Sequence, residues 1–280
     1  MVRDGVRLVC RDWGGSGPDV LLLHGLAGHV GEWDATARLL RDVGHRVVAL
    51  DQRGHGSSER RPEDVSRGAY VADVVAVAER LGLVRPLLIG QSLGGHTAFL
   101  TAAAHPGLAR ALVLVEAGPG GADPDVSAGI GDWLRGWPVP FPSREAAVAH
   151  LGGSKRLVGE GWADGLEERD GGLRPRFDPD VMVRSLDVIG ARSFWDEWAA
   201  VACPVLAVLG HGGESGQGGI IGGEEYAEMA RIRPGLHGVS VPGAGHDVHL
   251  ERPEVLHRLI VDFCAAVLPA TPCPGVHSSS

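Results

Sequence analysis

Short apolar runs recur along the chain, and most of them end at a glycine or a polar residue before a helical pattern begins. Val20-Leu-Leu-Leu-His24, Val47-Val-Ala-Leu-Asp51, Pro86-Leu-Leu-Ile-Gly90, Ala111-Leu-Val-Leu-Val-Glu116 and Pro204-Val-Leu-Ala-Val-Leu-Gly210 have this form. Runs of this length are too short for buried helices and fit strands covered on both faces. Val239-Ser-Val241 predicts one more, shorter strand. Helical patterns fall at 33–43, 69–81, 93–104, 224–231 and 253–267. This alternation predicts right-handed crossovers and an α/β fold, with a mainly parallel sheet and helices on both faces. Asp4-Gly5, between Val2-Arg3 and Val6-Arg7-Leu8, predicts a hairpin turn adding antiparallel strands at one sheet edge.

The rhythm breaks between Gly118 and Ala199. Five of the seven tryptophans (Trp133, Trp137, Trp162, Trp195 and Trp198) lie in this interval, among prolines and without a buried-strand run. A mostly helical insertion is expected at 119–199, dividing a core made of 1–118 and 200–268. The Pro- and Ser-rich residues 269–280 are expected to be a disordered tail. No internal repeat is present.

A length of 280 residues suits one large domain with an insertion, and 44 % hydrophobic residues suffice for a core. The formal net charge of -9 argues against nucleic acid or an anionic membrane as partner, since either calls for a basic patch. Met1 to Val6 lacks the apolar run of a secretory signal, and no stretch has the apolar length of a membrane helix. Cys10, Cys203, Cys264 and Cys273 have neither C-x-x-C nor framework spacing. Free thiols and a cytoplasmic location are the expectation.

Three glycine-rich segments carry the candidate chemistry. Gly90-Gln91-Ser92-Leu93-Gly94 follows a predicted buried strand and opens a helix. In that setting a G-x-S-x-G presents its serine on a sharp turn above the carboxyl edge of the sheet, near a helix N-terminus that favours negative charge. His24-Gly25-Leu26-Ala27-Gly28 follows another strand. Its turn can aim a backbone N–H above Ser92, forming a two-donor oxyanion hole from the amides of Leu26 and Leu93. The alternative is a glycine-rich loop around a packed histidine. Gly243-Ala244-Gly245-His246-Asp247 places His246 in the last loop, suited to a general base; His246, Asp247 and His249 as metal ligands are the lesser reading.

Together these segments resemble the α/β-hydrolase superfamily over nearly the whole chain, with Asp51-Gln-Arg-Gly-His-Gly-Ser-Ser58 as a further matching turn. The resemblance implies an eight-stranded, mostly parallel sheet with a helical cap inserted after the sixth strand, where the rhythm is lost. It implies a structural role for Asp51, because the family's acid follows the serine in chain order. Ser92 at the elbow, where haloalkane dehalogenases and epoxide hydrolases carry aspartate, points to acyl chemistry without metal or organic cofactor.

The acid partner of His246 departs from the common pattern. Most relatives place an aspartate after the seventh strand; residues 211–221 contain none, and only Glu214 lies there, in a glycine-rich loop. A minority of the superfamily carries the acid at the end of the sixth strand, which is Glu116 here. Glu116 is preferred, on a rigid strand end at the ligand-binding edge; a solvent-facing glutamate is the alternative. The expected function is hydrolysis of an ester, lactone or thioester through an acyl-enzyme on Ser92, with a small-molecule substrate carrying an apolar or aromatic portion. A biosynthetic acyltransferase using the same acyl-enzyme and a non-catalytic ligand-binding protein on this scaffold stand as alternatives; cofactor-free oxygen or peroxide chemistry is a lesser one.

Overall fold

The computed structural model describes residues 1–121, 124–211 and 219–268, with the backbone alone for 124–126. Glu214 and the 269–280 tail lie outside the described residues. The chain opens with β1 (Val2–Arg3) and β2 (Val6–Arg7), then β3 (Val9–Asp12) and β4 (Asp19–Leu23). A 3-10 turn (Val30–Trp33) leads into α1 (Asp34–Asp42), followed by β5 (Arg46–Asp51), α2 (Arg67–Leu81), β6 (Leu87–Gln91), α3 (Leu93–Ala104) and β7 (Ala111–Val115). Between β7 and the next core strand come α4 (Pro124–Arg135), α5 (Arg144–Gly152), α6 (Arg156–Asp164), β8 (Leu166–Arg169), β9 (Gly172–Pro175), α7 (Pro179–Gly190) and α8 (Trp195–Ala200). The chain then forms β10 (Val205–His211), α9 (Gly223–Ile232), β11 (His237–Pro242), α10 (Val248–Glu251) and α11 (Pro253–Val267).

Seven strands form the main sheet in the order β11-β10-β7-β6-β4-β5-β3. All neighbours are parallel except the edge pair β3–β5. The sheet is therefore mostly parallel, as expected, but has seven strands among the described residues rather than eight. The reason lies at Leu8: its N–H donates to the Met1 carbonyl at 2.8 Å, closing β1 and β2 into a separate hairpin. The turn itself falls on Asp4 and Gly5, at φ 48° and 76°.

Both faces of the sheet are covered, which explains the unbroken apolar runs. Leu21, Leu23, Leu88, Leu112 and Leu114 pack on one side with residues of α2 and α3. Val20, Leu22, Ile89, Val113 and Val115 pack on the other with α1 and α11. The turn after β5 is tied down by two carboxylates. Asp51 accepts from the N–H groups of Val30 and Ser57, both at 2.8 Å, a structural part for this residue. Asp73 of α2 takes Arg53 in a fully buried two-pronged pair at 2.6 and 2.8 Å.

The segment between β7 and β10 is mostly helical and adds one antiparallel hairpin, β8–β9. That hairpin turns on Asp170-Gly171, both left-handed at φ 52° and 80°. The same dipeptide signal that marked Asp4-Gly5 was available there. The tryptophans divide their roles: Trp195 and Trp198 pack on the sheet core, Trp137 is buried among the inserted helices, and Trp133 and Trp162 line a cavity.

Candidate active site

Ser92 sits on the one-residue bend between β6 and α3, at φ 50° and ψ -120°. An L-residue in this region carries roughly 1–3 kcal/mol of strain, so its neighbours must impose it. The Ser92 N–H donates to the Val115 carbonyl at 3.0 Å, and its own carbonyl accepts from the His96 N–H at 2.9 Å. Glycine is required on both sides because backbones nearly touch. A Cβ on Gly90 would lie 2.3 Å from the Gly94 carbonyl oxygen, and one on Gly94 would lie 2.2 Å from that of Leu23.

Glu116 follows β7 directly, fully buried and again left-handed, at φ 51°. Its carboxylate accepts from the N–H of Gly210 and, at 2.5 Å, from that of Ile220. It thereby fastens the end of β10 to the segment leading into α9. One oxygen, Oε2, also faces His246 Nδ1 at 3.8 Å, an ion-pair distance too long for a hydrogen bond. His246 hangs from the loop after β11, half-buried. Burial alone would lower its pKa, but the carboxylates of Glu116, Asp247 and Glu251 outweigh that and leave it raised.

Ser92 and His246 line the same cavity, yet no hydrogen bond joins them among the described residues. The imidazole Nε2 instead lies 3.0 Å from the Gln91 amide nitrogen, which also donates to the His246 carbonyl at 3.2 Å. Gln91, the variable residue of the G-x-S-x-G, is thus part of the site, a role that sequence reasoning did not assign. The predicted oxyanion donors are placed as follows. Leu26 lines the cavity and Leu93, the first residue of α3, has an N–H without an intrahelical acceptor. His24 is a strut beneath them: its Nε2 accepts from the Gln52 N–H at 3.0 Å, and burial lowers its pKa to about 4.

The cavity encloses about 660 Å³. Its apolar lining is built from Ile130, Trp133, Leu134, Trp162, Leu186 and Ile220. The lining also has a polar group that was not foreseen: Glu32, Lys155, Asp247 and Glu251. Lys155 and Glu251 form an ion pair at 2.9 Å, and Glu251 also accepts from the Gly245 N–H at 2.9 Å, steadying the His246 loop. Glu32 has a weak sequence signal, a glutamate immediately before the buried Trp33; it is reached only because the 3-10 turn folds inward. No cluster of three or more potential metal ligands occurs among the described residues, and His249 is packed on Trp33 with ring centroids 4.8 Å apart.

Comparison with known proteins adds a family. The sequence profile described as the alpha/beta hydrolase family matches residues 20–259. An N-formylmaleamate deformylase of Pseudomonas putida is 32 % identical over 253 residues, covering 87 % of each chain. A 2-(acetamidomethylene)succinate hydrolase of Mesorhizobium japonicum is 28 % identical over 261 residues, with 90 % of each chain covered. The crystal structure of an E-2-(acetamidomethylene)succinate hydrolase superposes with a TM-score of 0.84 at 26 % identity, covering 94 % of this chain and 96 % of that one.

Proposed function

The chain belongs to the alpha/beta hydrolase family, and from that premise we propose that it hydrolyses an acyl substrate through a covalent intermediate on Ser92. The observation that carries this reading is Ser92, held on a strained bend, sharing one cavity with His246 while the Glu116 carboxylate stands behind the imidazole. The inserted segment acts as a cap, supplying the apolar wall through Trp133 and Trp162. An ester, lactone or thioester with an apolar portion fits this wall. The names of the relatives, a deformylase and an acetamido-compound hydrolase, extend the class to acyl–nitrogen bonds.

In the first half-reaction Ser92 Oγ bonds to the acyl carbon and its proton passes to His246 Nε2. For this the Gln91 amide must give up its place at Nε2. The oxyanion is met by the Leu26 and Leu93 N–H groups, each worth about a hundred- to a thousandfold in rate. Glu116 stabilises the imidazolium through Nδ1 and holds the tautomer that leaves Nε2 free to accept. The tetrahedral centre then collapses, the acyl–heteroatom bond breaks, and His246 returns the proton to the leaving group. In the second half-reaction water gives a proton to His246 Nε2 and its oxygen to the acyl carbon. Ser92 leaves with that proton, and the acid is released.

Labelling with a fluorophosphonate probe tests the reading. The folded protein should be modified at Ser92, and Ser92→Ala should lose both labelling and turnover. A folded wild-type protein that resists the probe and all ester, lactone, thioester and amide substrates would refute it.

A further inference from the structure

Glu32 is buried, with only 4 % of its side chain exposed, yet it lines the Ser92–His246 cavity. Its Oε1 has no hydrogen-bond partner among the described residues. Its Oε2 lies 3.5 Å from His249 Nε2, a weak contact at the limit of hydrogen bonding, and the His29 backbone N–H is the other donor near the carboxyl among the described residues. A buried polar group left in this state costs roughly 1–3 kcal/mol, so a role in binding is the physical reason to keep it. The carboxyl lies against Gly28: a Cβ there would stand 2.7 Å from Oε2 and 2.9 Å from Oε1. The last glycine of His24-Gly-Leu-Ala-Gly28 thus makes room for the acid, a function separate from shaping the oxyanion turn.

Burial raises the Glu32 pKa to about 8; His29 works against this, while Asp247 and Asp51 add to it. His249, facing it from α10, is lowered to about 4 by its own burial and brings no positive charge near neutral pH. The Lys155 ammonium, also in the lining, is already paired with Glu251. Glu32 therefore carries its proton near neutral pH and offers an O–H donor. Lys155 is the one lysine or arginine lining the cavity among the described residues, and Asp247 adds a further carboxylate. Among the described lining residues, an anionic substrate group would meet more negative than positive charge.

We propose that Glu32 is a specificity residue that donates a hydrogen bond to a neutral carbonyl oxygen of the substrate, selecting uncharged acyl substrates with a second acceptor besides the reacting group. The inference rests on Ser92 as nucleophile, and it separates this enzyme from relatives whose names specify succinate or maleamate compounds. The apolar lining residues take the hydrocarbon portion and Glu32 takes the acceptor.

The test uses p-nitrophenyl oxoalkanoates with the ketone moved stepwise along the chain, each paired with the plain alkanoate and with an ω-carboxylate of equal length. Wild-type enzyme should prefer one oxo ester by about tenfold in kcat/KM over its alkanoate, the worth of one neutral hydrogen bond, and should discriminate against the carboxylate. Glu32→Gln retains an N–H donor and should keep the preference; Glu32→Leu should lose it. In wild type the preference should fall on going from about pH 7 to about pH 9 as the acid ionises, and stay level in Glu32→Gln. The wild-type arm of this last measurement needs no mutant to fold. A role confined to structure would scale all three esters together. Preferences that are equal in all three proteins and independent of pH, or a wild type that favours the carboxylate, would overturn the assignment. Fluorophosphonate labelling run alongside tells the two failures apart: an unmodified Ser92 removes the nucleophile reading, whereas a modified Ser92 with unmoved preferences removes the role of Glu32 alone.

Discussion

Replacing Glu116 with glutamine exchanges one carboxylate oxygen for an NH2 group in a site that presents only donors. The carboxylate accepts from the Gly210 and Ile220 N–H groups and faces His246 Nδ1 at 3.8 Å. Two amide orientations are open. With nitrogen in place of Oε2, the Ile220 N–H loses its acceptor. The imidazole is then pushed to accept at Nδ1, which puts its proton on Nε2 and bars it from taking the Ser92 proton. With nitrogen in place of Oε1, the Gly210 N–H is orphaned while the useful tautomer survives without its charge partner. Either way one buried backbone donor goes unpaired, a loss of about 1–3 kcal/mol in stability. Turnover should fall by about ten-thousandfold, the effect of turning a triad acid into an amide. Urea unfolding gives the first number and steady-state kinetics the second. The pH profile adds a sign. His246 must be neutral to act as base, and its raised pKa puts the acid limb of kcat/KM above that of an ordinary imidazole in wild type. Without the Glu116 charge the limb should move to lower pH. A Glu116→Gln enzyme that is less stable but retains activity within about tenfold, with an unmoved acid limb, would make Glu116 a strut for β10 and end its role as the acid partner of His246.

The remaining predictions concern stability and the bend. Because folding raises the Glu32 pKa from an ordinary 4.5 to about 8, its unfavourable contribution is absent below the lower value, grows between the two and is complete above the upper. Glu32→Gln should therefore stabilise the protein increasingly from acid to alkaline pH, read as a Tm difference that widens across this window. Gly94→Ala puts a methyl carbon 2.2 Å from the Leu23 carbonyl oxygen and should abolish fluorophosphonate labelling of Ser92, by distorting the bend or unfolding the domain. Removing Asp73 strands Arg53 in the interior, so Asp73→Ala should cost about 3–5 kcal/mol by urea unfolding; Asp73→Ala with Arg53→Met should recover part of that loss.

Much of the architecture was open to reading from the chain alone. Runs such as Val20–Leu23 and Leu87–Ile89 are apolar at every position because both faces of their strands are covered, and a strand between two helical layers is the natural way to bury so short an unbroken run. The bend at Ser92 was equally readable, since only glycine at 90 and 94 lets two backbones pass within contact. Local turn rules carry Asp4-Gly5 and apply equally to Asp170-Gly171, since both dipeptides take the left-handed backbone that such turns need. Pairing beyond the turn was not local: whether β1 and β2 join the sheet depends on Leu8, whose N–H closes on Met1 instead.

The site's polar chemistry belongs to the folded chain. Glu116 meets His246 across 130 residues of sequence because β10 pairs with both β7 and β11 in the sheet, and no spacing rule contains that adjacency. Gln91 reaches the imidazole because β6 ends beneath the last loop. Glu32 becomes an unusual acid only when Gly28, His249 and Asp247 enclose it, since desolvation and neighbouring charge are properties of a place in space. Backbone periodicity and glycine sterics are written residue by residue along the chain; proximity and dielectric environment come into being when distant segments pack.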